Sequence, residues 1–357
     1  MLRQKNGRII EREVHAMITS ETEKKSLLKA LTEMLGTEAD VVRYSTHVLQ
    51  GGTVGEVLLL SGDAQTSRGL SPFSVVLKIQ KEWYRHGDPD SWRREYELYR
   101  HGFGISMPPM LRIPKCYFLE AGDGVTQIWM EFVEGKTGPN QLHADELALS
   151  AERLGEFQAW FHLRGQRRLA YLRSYPAVCS SFDLWWNRVK SYLDQPMDGF
   201  PDELRHILND YAARAPDLLA SFDALPETLC QGDVHHDNMI LRQSEGETDV
   251  YLIDWDSAGY GRMGEDAIDM LMEAFIYSHR DPSLLPMFKE KIMEGYCKGA
   301  KKGGLTLILD DALIRDITAL SWGFRMADRF LYCKDQPSRT RVVHMLRSVL
   351  MDGTSVR

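Results

Sequence analysis

The sequence predicts an α+β protein with a small β-rich N-terminal part and a larger, mainly helical C-terminal part. Strand-like patterns are concentrated in residues 41–138 and helical patterns in 139–357. The length of 357 residues suits two packed units, and 43% hydrophobic with 26% charged residues is typical of a folded globular chain. We therefore expect an accessory helical segment at 1–40, followed by a β-rich domain and a helical domain with those bounds.

The N-terminal elements follow from changes in the period of the apolar residues. Leucines at helical spacing predict a helix from Thr19 to Leu35. Between 48 and 80, two β-branched runs flank the turn-rich segment SGDAQTSRGLSP, which predicts two antiparallel strands joined by a loop. Helical spacing returns over Ser91–Arg100, and strands at Lys115–Glu120 and Val125–Phe132 are separated by an AGDG turn.

The C-terminal part is helical apart from one segment. The predicted helices are Ala144–His162, Phe182–Leu193, Glu203–Ala212, Glu265–Ser278, Leu284–Lys298 and Ala312–Leu331. Between them lie LCQGDVHHDNMIL at 229–241 and VYLIDWDSAGYG at 250–261. Two short apolar strands that present carboxylates at their ends, inside a helical region, indicate a functional site.

Three oxygen-bearing side chains of this segment are expected to converge. Asn238 follows Asp233 by five residues, and Asp254 ends the next apolar strand. Carboxylate and amide oxygens suit a hard ion such as Mg²⁺ better than zinc. A carboxylate that is not bound to the metal can accept a proton.

This segment resembles the catalytic signature of the aminoglycoside phosphotransferase and choline kinase family of protein-kinase-like small-molecule kinases. That signature is His-Gly-Asp, four residues and Asn, followed by a strand that ends in a metal-binding Asp. Four residues match it by position: Gly232, Asp233, Asn238 and Asp254. Two positions depart from it, because Gln231 replaces the usual His, and His236-Asp237 replaces a common Pro-Gly pair.

The resemblance implies a fold and a reaction. The fold is the two-lobed protein-kinase-like fold, with a β-rich N-lobe that binds the nucleotide and a helical C-lobe that carries catalysis and the acceptor. The reaction is transfer of phosphate from ATP, or from GTP, to a hydroxyl group of a small molecule. Asp233 would be the catalytic base, and Asn238 and Asp254 would hold Mg²⁺.

Further features of the same family occur in the expected order. A glycine-rich turn, QGGTVGE at 50–56, would bring Gly51, Gly52 and Thr53 to the phosphates. Lys78, within the apolar run VVLKIQ, would contact the phosphates and be held by Glu95 on the next helix.

The segment IWMEFVEG at 128–135 resembles the interlobe hinge of the family. The resemblance places Met130 behind the nucleobase. Glu131 and Val133 would supply main-chain contacts to it.

Simpler interpretations exist for each of these residues. The glycines could form an ordinary hairpin, and Lys78 could lie on an edge strand with its ammonium group in water. Glu95 could be a solvated helix charge. Asp233 and Asp254 could serve only as turn or cap residues.

Two other functional classes compete with the kinase hypothesis. The string Gly-Asp-x-His resembles part of the binuclear metallophosphatase pattern, but the remaining motifs of that pattern do not occur in the sequence. A pseudokinase that binds nucleotide without transferring phosphate is favoured only by Gln231. Phosphate transfer is favoured by the joint presence of Lys78, Glu95, Asp233, Asn238 and Asp254.

Charge bears on the partners of the protein. The formal net charge of −8 argues against nucleic-acid binding, which depends on Lys and Arg neutralising phosphates. Residues 191–270 contain eighteen Asp or Glu against four Arg and no Lys, a balance of −14. This balance fits a solvated acidic surface, or a cleft that attracts a cationic acceptor. Apolar runs all fall short of the roughly 20 residues that cross a bilayer, so we expect a cytoplasmic protein without a membrane partner.

Tryptophans offer one further hypothesis. An aromatic cage for a quaternary ammonium group could be built from Trp160, Trp185, Trp186, Trp255 and Trp322. Core packing explains most of these residues equally well.

Overall fold

The computed structural model describes residues 21–49, 55–85, 87–164, 172–173, 177–276, 278 and 280–351. The chain divides into two compact units. The first contains the described part of residues 1–84 together with Tyr96–Gly104 and Pro114–Val133. The second contains Arg85–Glu95, Ile105–Ile113 and the chain from Glu134 onward.

The first unit is built on one antiparallel sheet. Its strands are β1 (Ala39–Val48), β2 (Gly55–Thr66), β3 (Gly69–Lys81), β4 (Cys116–Gly122) and β5 (Val125–Glu131), in the spatial order β1-β2-β3-β5-β4. The helices of this part of the chain are α1 (Glu21–Leu35), α2 (Ser91–Arg100) and the short α3 (Phe103–Ser106). The predicted α+β class is confirmed.

Apolar side chains of α1 pack against the sheet. Leu27 and Leu31 are buried in one cluster with Leu60, Phe73 and Trp129. The hydroxyl of Ser26 donates to the Glu120 carboxylate over 2.6 Å, which fixes the helix to β4. The predicted start of this helix at Thr19 lies outside the described residues.

The prediction of a loop at 61–72 is wrong, because strands β2 and β3 include most of these residues. Thr66 pairs with Gly69, so that only two residues form the turn. Gly62, which suggests a turn in the sequence, lies within β2 opposite Tyr44 of β1, and a Cβ at this position would be 2.1 Å from the carbonyl oxygen of Arg43. Glycine is needed here because the main chain of β1, a strand that was not predicted, lies too close to leave room for a side chain.

The second unit is mainly helical. It contains α4 (Ala144–Arg164), α5 (Ala177–Leu193), α6 (Asp202–Asp223), α7 (Glu265–Ile276), α8 (Leu285–Lys302), α9 (Asp311–Thr318), α10 (Phe324–Tyr332) and α11 (Gln336–Leu350). Two antiparallel strand pairs lie among them, β6 (Glu227–Cys230) with β9 (Gly259–Arg262), and β7 (Met239–Ser244) with β8 (Glu247–Leu252). Helix α6 continues through Pro216, and a buried π-turn divides the single helix predicted at 312–331. Among the described helices, none is long and apolar enough to cross a membrane.

Glycines allow α4 and α8 to approach closely. A Cβ at Gly299 would lie 1.9 Å from the carbonyl oxygen of Glu152, and a Cβ at Gly155 would lie 2.2 Å from that of Tyr296. Only glycine permits main chains to pack at this distance. The contact matters for function because α4 and α8 carry two residues that support the loop after β6.

Candidate functional site

The loop after β6 and the turn after β8 carry the predicted catalytic residues, and each contains one residue with a left-handed backbone. Gly232 has φ of +79°, and a Cβ there would lie 2.6 Å from the carbonyl oxygen of Ser257. Asp254 has φ of +59° although it is not glycine. Non-glycine residues in this region cost energy and cluster at functional sites.

The side chain of Gln231 joins these two segments. Its Nε2 donates to the carbonyl oxygens of Ile253 (3.1 Å) and Asp254 (2.6 Å), and its Oε1 accepts from the Asp233 N–H (2.7 Å). One buried amide therefore fixes the main chain at both predicted catalytic aspartates. A neutral imidazole also offers one donor and one acceptor, so Gln231 supplies both kinds of hydrogen bond at this position.

Asp266, on the first turn of α7, holds the same loop from the other side. Its carboxylate accepts the N–H groups of Gln231 (2.9 Å) and Gly232 (3.0 Å), and the Nε2 of Gln158 (2.8 Å). Burial raises the pKa of Asp266 to about 7, and the two main-chain N–H groups oppose this rise. The Tyr296 hydroxyl donates to Gln158 in turn, so the loop is connected to α4, α7 and α8.

Asn238 lies beside the proposed base. Its side-chain Nδ2 donates to the main-chain carbonyl oxygen of Asp233 (3.0 Å), and its main-chain carbonyl oxygen accepts from the Ile253 N–H (3.0 Å). The other atom of the side-chain amide, Oδ1, has the chemistry of a cation ligand. The charge of Asp254 raises the pKa of Asp233, which places these two carboxylates in one electrostatic environment.

The oxygen donors of Asp254 and Asn238 are of the hard type that divalent cations such as Mg²⁺ accept. Within the described part of the chain, groups of three or more His, Cys, Asp or Glu that could hold a metal ion are absent. One carboxylate at Asp254 and one amide oxygen at Asn238 match the way Mg²⁺ binds, with phosphates and water completing its shell.

Asp233 is partly exposed, with 46% of its side chain accessible. Burial is the largest cause that raises its pKa, while His235, Arg325 and Arg85 oppose the rise. The Nε2 of His235 lies 3.7 Å from Asp233 Oδ2, and burial lowers the pKa of this histidine. His236 is buried and lies 3.4 Å from the Asp237 carboxylate, which supports a packing role.

Two arginines that the sequence did not single out brace the turn after Asp254. Arg85 donates to the Ser257 hydroxyl (2.6 Å) and to the Asp256 carboxylate (3.1 Å). Arg94 is buried, pairs with Asp88 and donates to the carbonyl oxygen of Asp256. In the sequence both arginines look like ordinary solvated charges, because Asp256 and Ser257, which they bind, are 162 to 172 residues away.

A row of acidic residues on α7 extends the site beyond Asp266. Asp269 and Glu273 follow at helical spacing, and burial raises their pKa values to about 7 and about 8. The charge of Asp233 contributes to both shifts. Part of the acidic balance of residues 191–270 therefore lies near the proposed base rather than on a distant surface.

The predicted phosphate-binding residues are placed as follows. Lys78 lies on the central strand β3, paired with Val57 and Ile128, and is buried, so the edge-strand alternative is wrong. Glu95 is buried on α2, in the second unit, so it is not a solvated charge. Gly51, Gly52 and Thr53 lie outside the described residues.

The predicted hinge residues lie at the end of strand β5 and just after it. Met130 is buried on β5, and Val133 is buried just after it. The N–H of Glu131 donates to the carbonyl oxygen of Lys115 (2.8 Å), so this N–H is already used in a main-chain hydrogen bond within the first unit.

A family model described as the phosphotransferase enzyme family matches residues 63–300. Among curated proteins, no sequence matches the chain significantly.

Solved structures share the fold across most of the chain. A microcompartment-associated aminopropanol kinase is 15% identical with a TM-score of 0.57, covering 91% of this chain and 94% of its own. The GDP and kanamycin complex of APH(2")-IIia is 17% identical with a TM-score of 0.54, covering 89% and 96%. A choline kinase from Cryptosporidium parvum Iowa II is 13% identical with a TM-score of 0.54, covering 85% and 88%. The predicted protein-kinase-like fold is confirmed.

Replacing Gln231 with Glu tests the loop geometry with almost no change in shape. The substitution turns a donor that faces two carbonyl oxygens into an acceptor. We expect the free energy of unfolding to fall by at least about 2 kcal/mol at pH 8. The loss should shrink toward pH 5, because a protonated carboxyl can still donate and its pKa in the folded state is raised. Urea unfolding at both pH values measures this.

The control is Gln243→Glu, the same chemical change on the exposed β7–β8 hairpin, where the amide donates to Thr248. It should alter stability by less than about 0.5 kcal/mol. Equal effects of the two substitutions would show that Gln231 does not fix the loop.

Proposed function

Because the chain belongs to the phosphotransferase enzyme family, we propose that it transfers the γ-phosphate of ATP or GTP to a hydroxyl group of a small molecule. The observation that carries this proposal is the arrangement around Gln231. One amide holds the main chain at both Asp233 and Asp254, and Asn238 is bonded to the same loop. A base and two cation ligands are what phosphate transfer requires from the protein besides alignment.

In this mechanism Asp233 orients the acceptor hydroxyl and accepts its proton. The hydroxyl oxygen then forms a bond to the γ-phosphorus, and the bond from that phosphorus to the β–γ bridging oxygen breaks, so that a nucleoside diphosphate leaves. The raised pKa of Asp233 makes its carboxylate a stronger base toward the acceptor hydroxyl. Asn238 and Asp254 would hold Mg²⁺, which supplies charge neutralisation on the phosphates when bound.

Nucleotide contacts are assigned to the first unit and to Glu95. Lys78 would orient the phosphates, and Met130 would lie against the base, with main-chain contacts from Glu131 and Val133. The glycine-rich segment, with Gly51, Gly52 and Thr53, would approach the phosphates through its N–H groups. GTP is proposed as an alternative phosphate donor to ATP because one structure of the same fold is a GDP complex.

The acceptor is proposed to be cationic. Asp233 and Asp269 place two carboxyl groups in one region of the second unit, and their ionised forms attract cations and repel anions. The similar structures include enzymes named for aminopropanol and choline and a complex with kanamycin, which supports a small amine-bearing acceptor.

The pseudokinase alternative was favoured only by the replacement of the usual His with Gln231. This side chain makes three hydrogen bonds that shape the loop, so the replacement does not argue against phosphate transfer. A module that only bound nucleotide would have no need of a base at Asp233. The phosphatase alternative is not favoured by the packing of His236.

Replacing Asp233 with Asn should separate catalysis from nucleotide binding. We expect turnover to fall by a factor on the order of 100 to 10,000, the usual contribution of a positioned base, with little change in nucleotide affinity. Asp254→Ala should instead remove the Mg²⁺-dependent part of nucleotide binding. Coupled assays with a panel of hydroxyl acceptors and calorimetric titration of the nucleotide measure the two effects.

Asp237→Asn is the matched control, because Asp237 lies in the same loop and is exposed. It should keep turnover within about threefold of the unmodified protein. Full activity of Asp233→Asn with an identified acceptor would rule out Asp233 as the base.

Salt tests the charge of the acceptor. For 1-amino-2-propanol, kcat/KM should fall as ionic strength rises from about 0.01 to 1 M, where the screening length shrinks from about 30 to 3 Å. The neutral analogue 1,2-propanediol should show no such fall. Asp269→Asn should flatten the salt profile of the amine, whereas Asp198→Asn, on an exposed part of the same acidic stretch, should not.

A flat salt profile for the amine in the unmodified protein would contradict a cationic acceptor. It would leave the assignment of phosphate transfer in place.

A further inference from the structure

Arg325 lies at the centre of a cluster that has the composition of a cation-binding site. Its guanidinium carbon is 4.1 Å from the ring centre of Trp322 and 5.8 Å from that of Trp185. Its Nη1 is 3.5 Å from Glu273 Oε1. Aromatic faces together with a carboxylate are the groups with which proteins bind organic cations.

The cluster is fixed rather than adaptable. Trp322 is buried, and its indole N–H donates to the Asp269 carboxylate over 2.8 Å, which sets the orientation of the ring. Glu273 is buried on α7, and a buried carboxylate needs a cation or a proton. Arg325, with 32% of its side chain accessible, supplies that cation from α10.

The cluster also lies near the proposed reaction. Helix α7 connects the two, because its Asp266 accepts the N–H groups of Gln231 and Gly232 in the loop of the proposed base. Asp269, which accepts the Trp322 indole N–H, and Glu273, which lies beside Arg325, follow at helical spacing on the same helix. A cationic group of the acceptor would enter this same region.

We propose that Arg325 determines which acceptors are used, because it occupies from within the chain the cation site formed by Trp322, Trp185 and Glu273. This inference rests on the proposed function only where it names the acceptor. The occupancy of the site by Arg325 is a separate and directly testable claim.

The consequence is a distinction between two classes of amine. A quaternary ammonium group cannot donate hydrogen bonds and depends on aromatic faces, which the guanidinium already covers. A primary ammonium group donates hydrogen bonds and can use the carboxylates of Asp269 or Asp233 instead. The acceptor is therefore a hydroxyl compound with a primary amine rather than a choline-like compound.

The direct test is binding to the full chain with Arg325 replaced by Ala. Tetramethylammonium should quench the tryptophan fluorescence of Arg325→Ala at least tenfold more strongly, at millimolar concentration, than that of the unmodified protein. Guanidinium at about 20 mM, far below denaturing concentrations, should raise the Tm of the variant by about 1 to 3 °C and leave that of the unmodified protein unchanged or lower. A variant that folds poorly alone should be rescued by the same addition.

Two controls keep this test specific. Arg325→Lys refills the site with an ammonium group and should bind neither probe. Arg214→Ala removes another arginine that stacks on a ring, Tyr211, and pairs with Asp210 at the surface, and it should bind neither probe as well. Absence of probe binding by Arg325→Ala, or equal binding by either control, would overturn the occupancy claim.

The second test concerns acceptor choice. The ratio of kcat/KM for choline to that for ethanolamine should rise on the order of tenfold in Arg325→Ala. An unmodified protein that prefers choline would overturn the selectivity claim. If neither protein phosphorylated any acceptor, the proposed function would fail, whereas the binding result would still decide the occupancy of the site.

Discussion

The structure of the candidate site depends on the Asp266 carboxylate, which accepts the N–H groups of Gln231 and Gly232 at the start of the loop that carries the proposed base. A hydrogen bond contributes about 0.5 to 1.5 kcal/mol, and more when the acceptor is ionised, whereas a donor left unpaired in the interior costs about 1 to 3 kcal/mol. The loop therefore cannot shift without losing several kcal/mol. Gln158 connects the same carboxylate to α4, so the packing of two helices through their glycines sets the position of the proposed base.

Around this anchor, the second unit concentrates carboxylates at a cost in stability. Burial raises the pKa values of Asp266, Asp269 and Glu273 to between about 7 and about 8. Keeping any of these carboxyl groups ionised in the folded state therefore lowers the free energy of unfolding. Groups with such shifts cluster at functional sites because catalysis and recognition need them. Arg325 compensates part of this charge, and in our account it also selects the acceptor.

The reach of sequence reasoning differs between local and distant features. The spacing of Asp233, Asn238 and Asp254 predicted that these residues would share one site, because short strands and tight turns leave the chain few alternatives. The hydrogen bonds of Arg85 and Arg94 to the turn at Asp256 and Ser257 could not be predicted, since the partners are 162 to 172 residues apart and a surface arginine has the same local pattern. Strand β1 escaped prediction for a related reason: its polar residues read as a loop until the neighbouring strand is known.

Hydrogen–deuterium exchange of the Gln231 and Gly232 amides, measured together with turnover in Asp266→Asn, tests the central claim most directly. We predict that both amides exchange as slowly as the core helices in the unmodified protein. In the variant, their protection should fall at least tenfold, and turnover should fall with it while nucleotide affinity stays within about threefold. Unchanged protection and turnover in Asp266→Asn would contradict the claim that this carboxylate positions the catalytic loop.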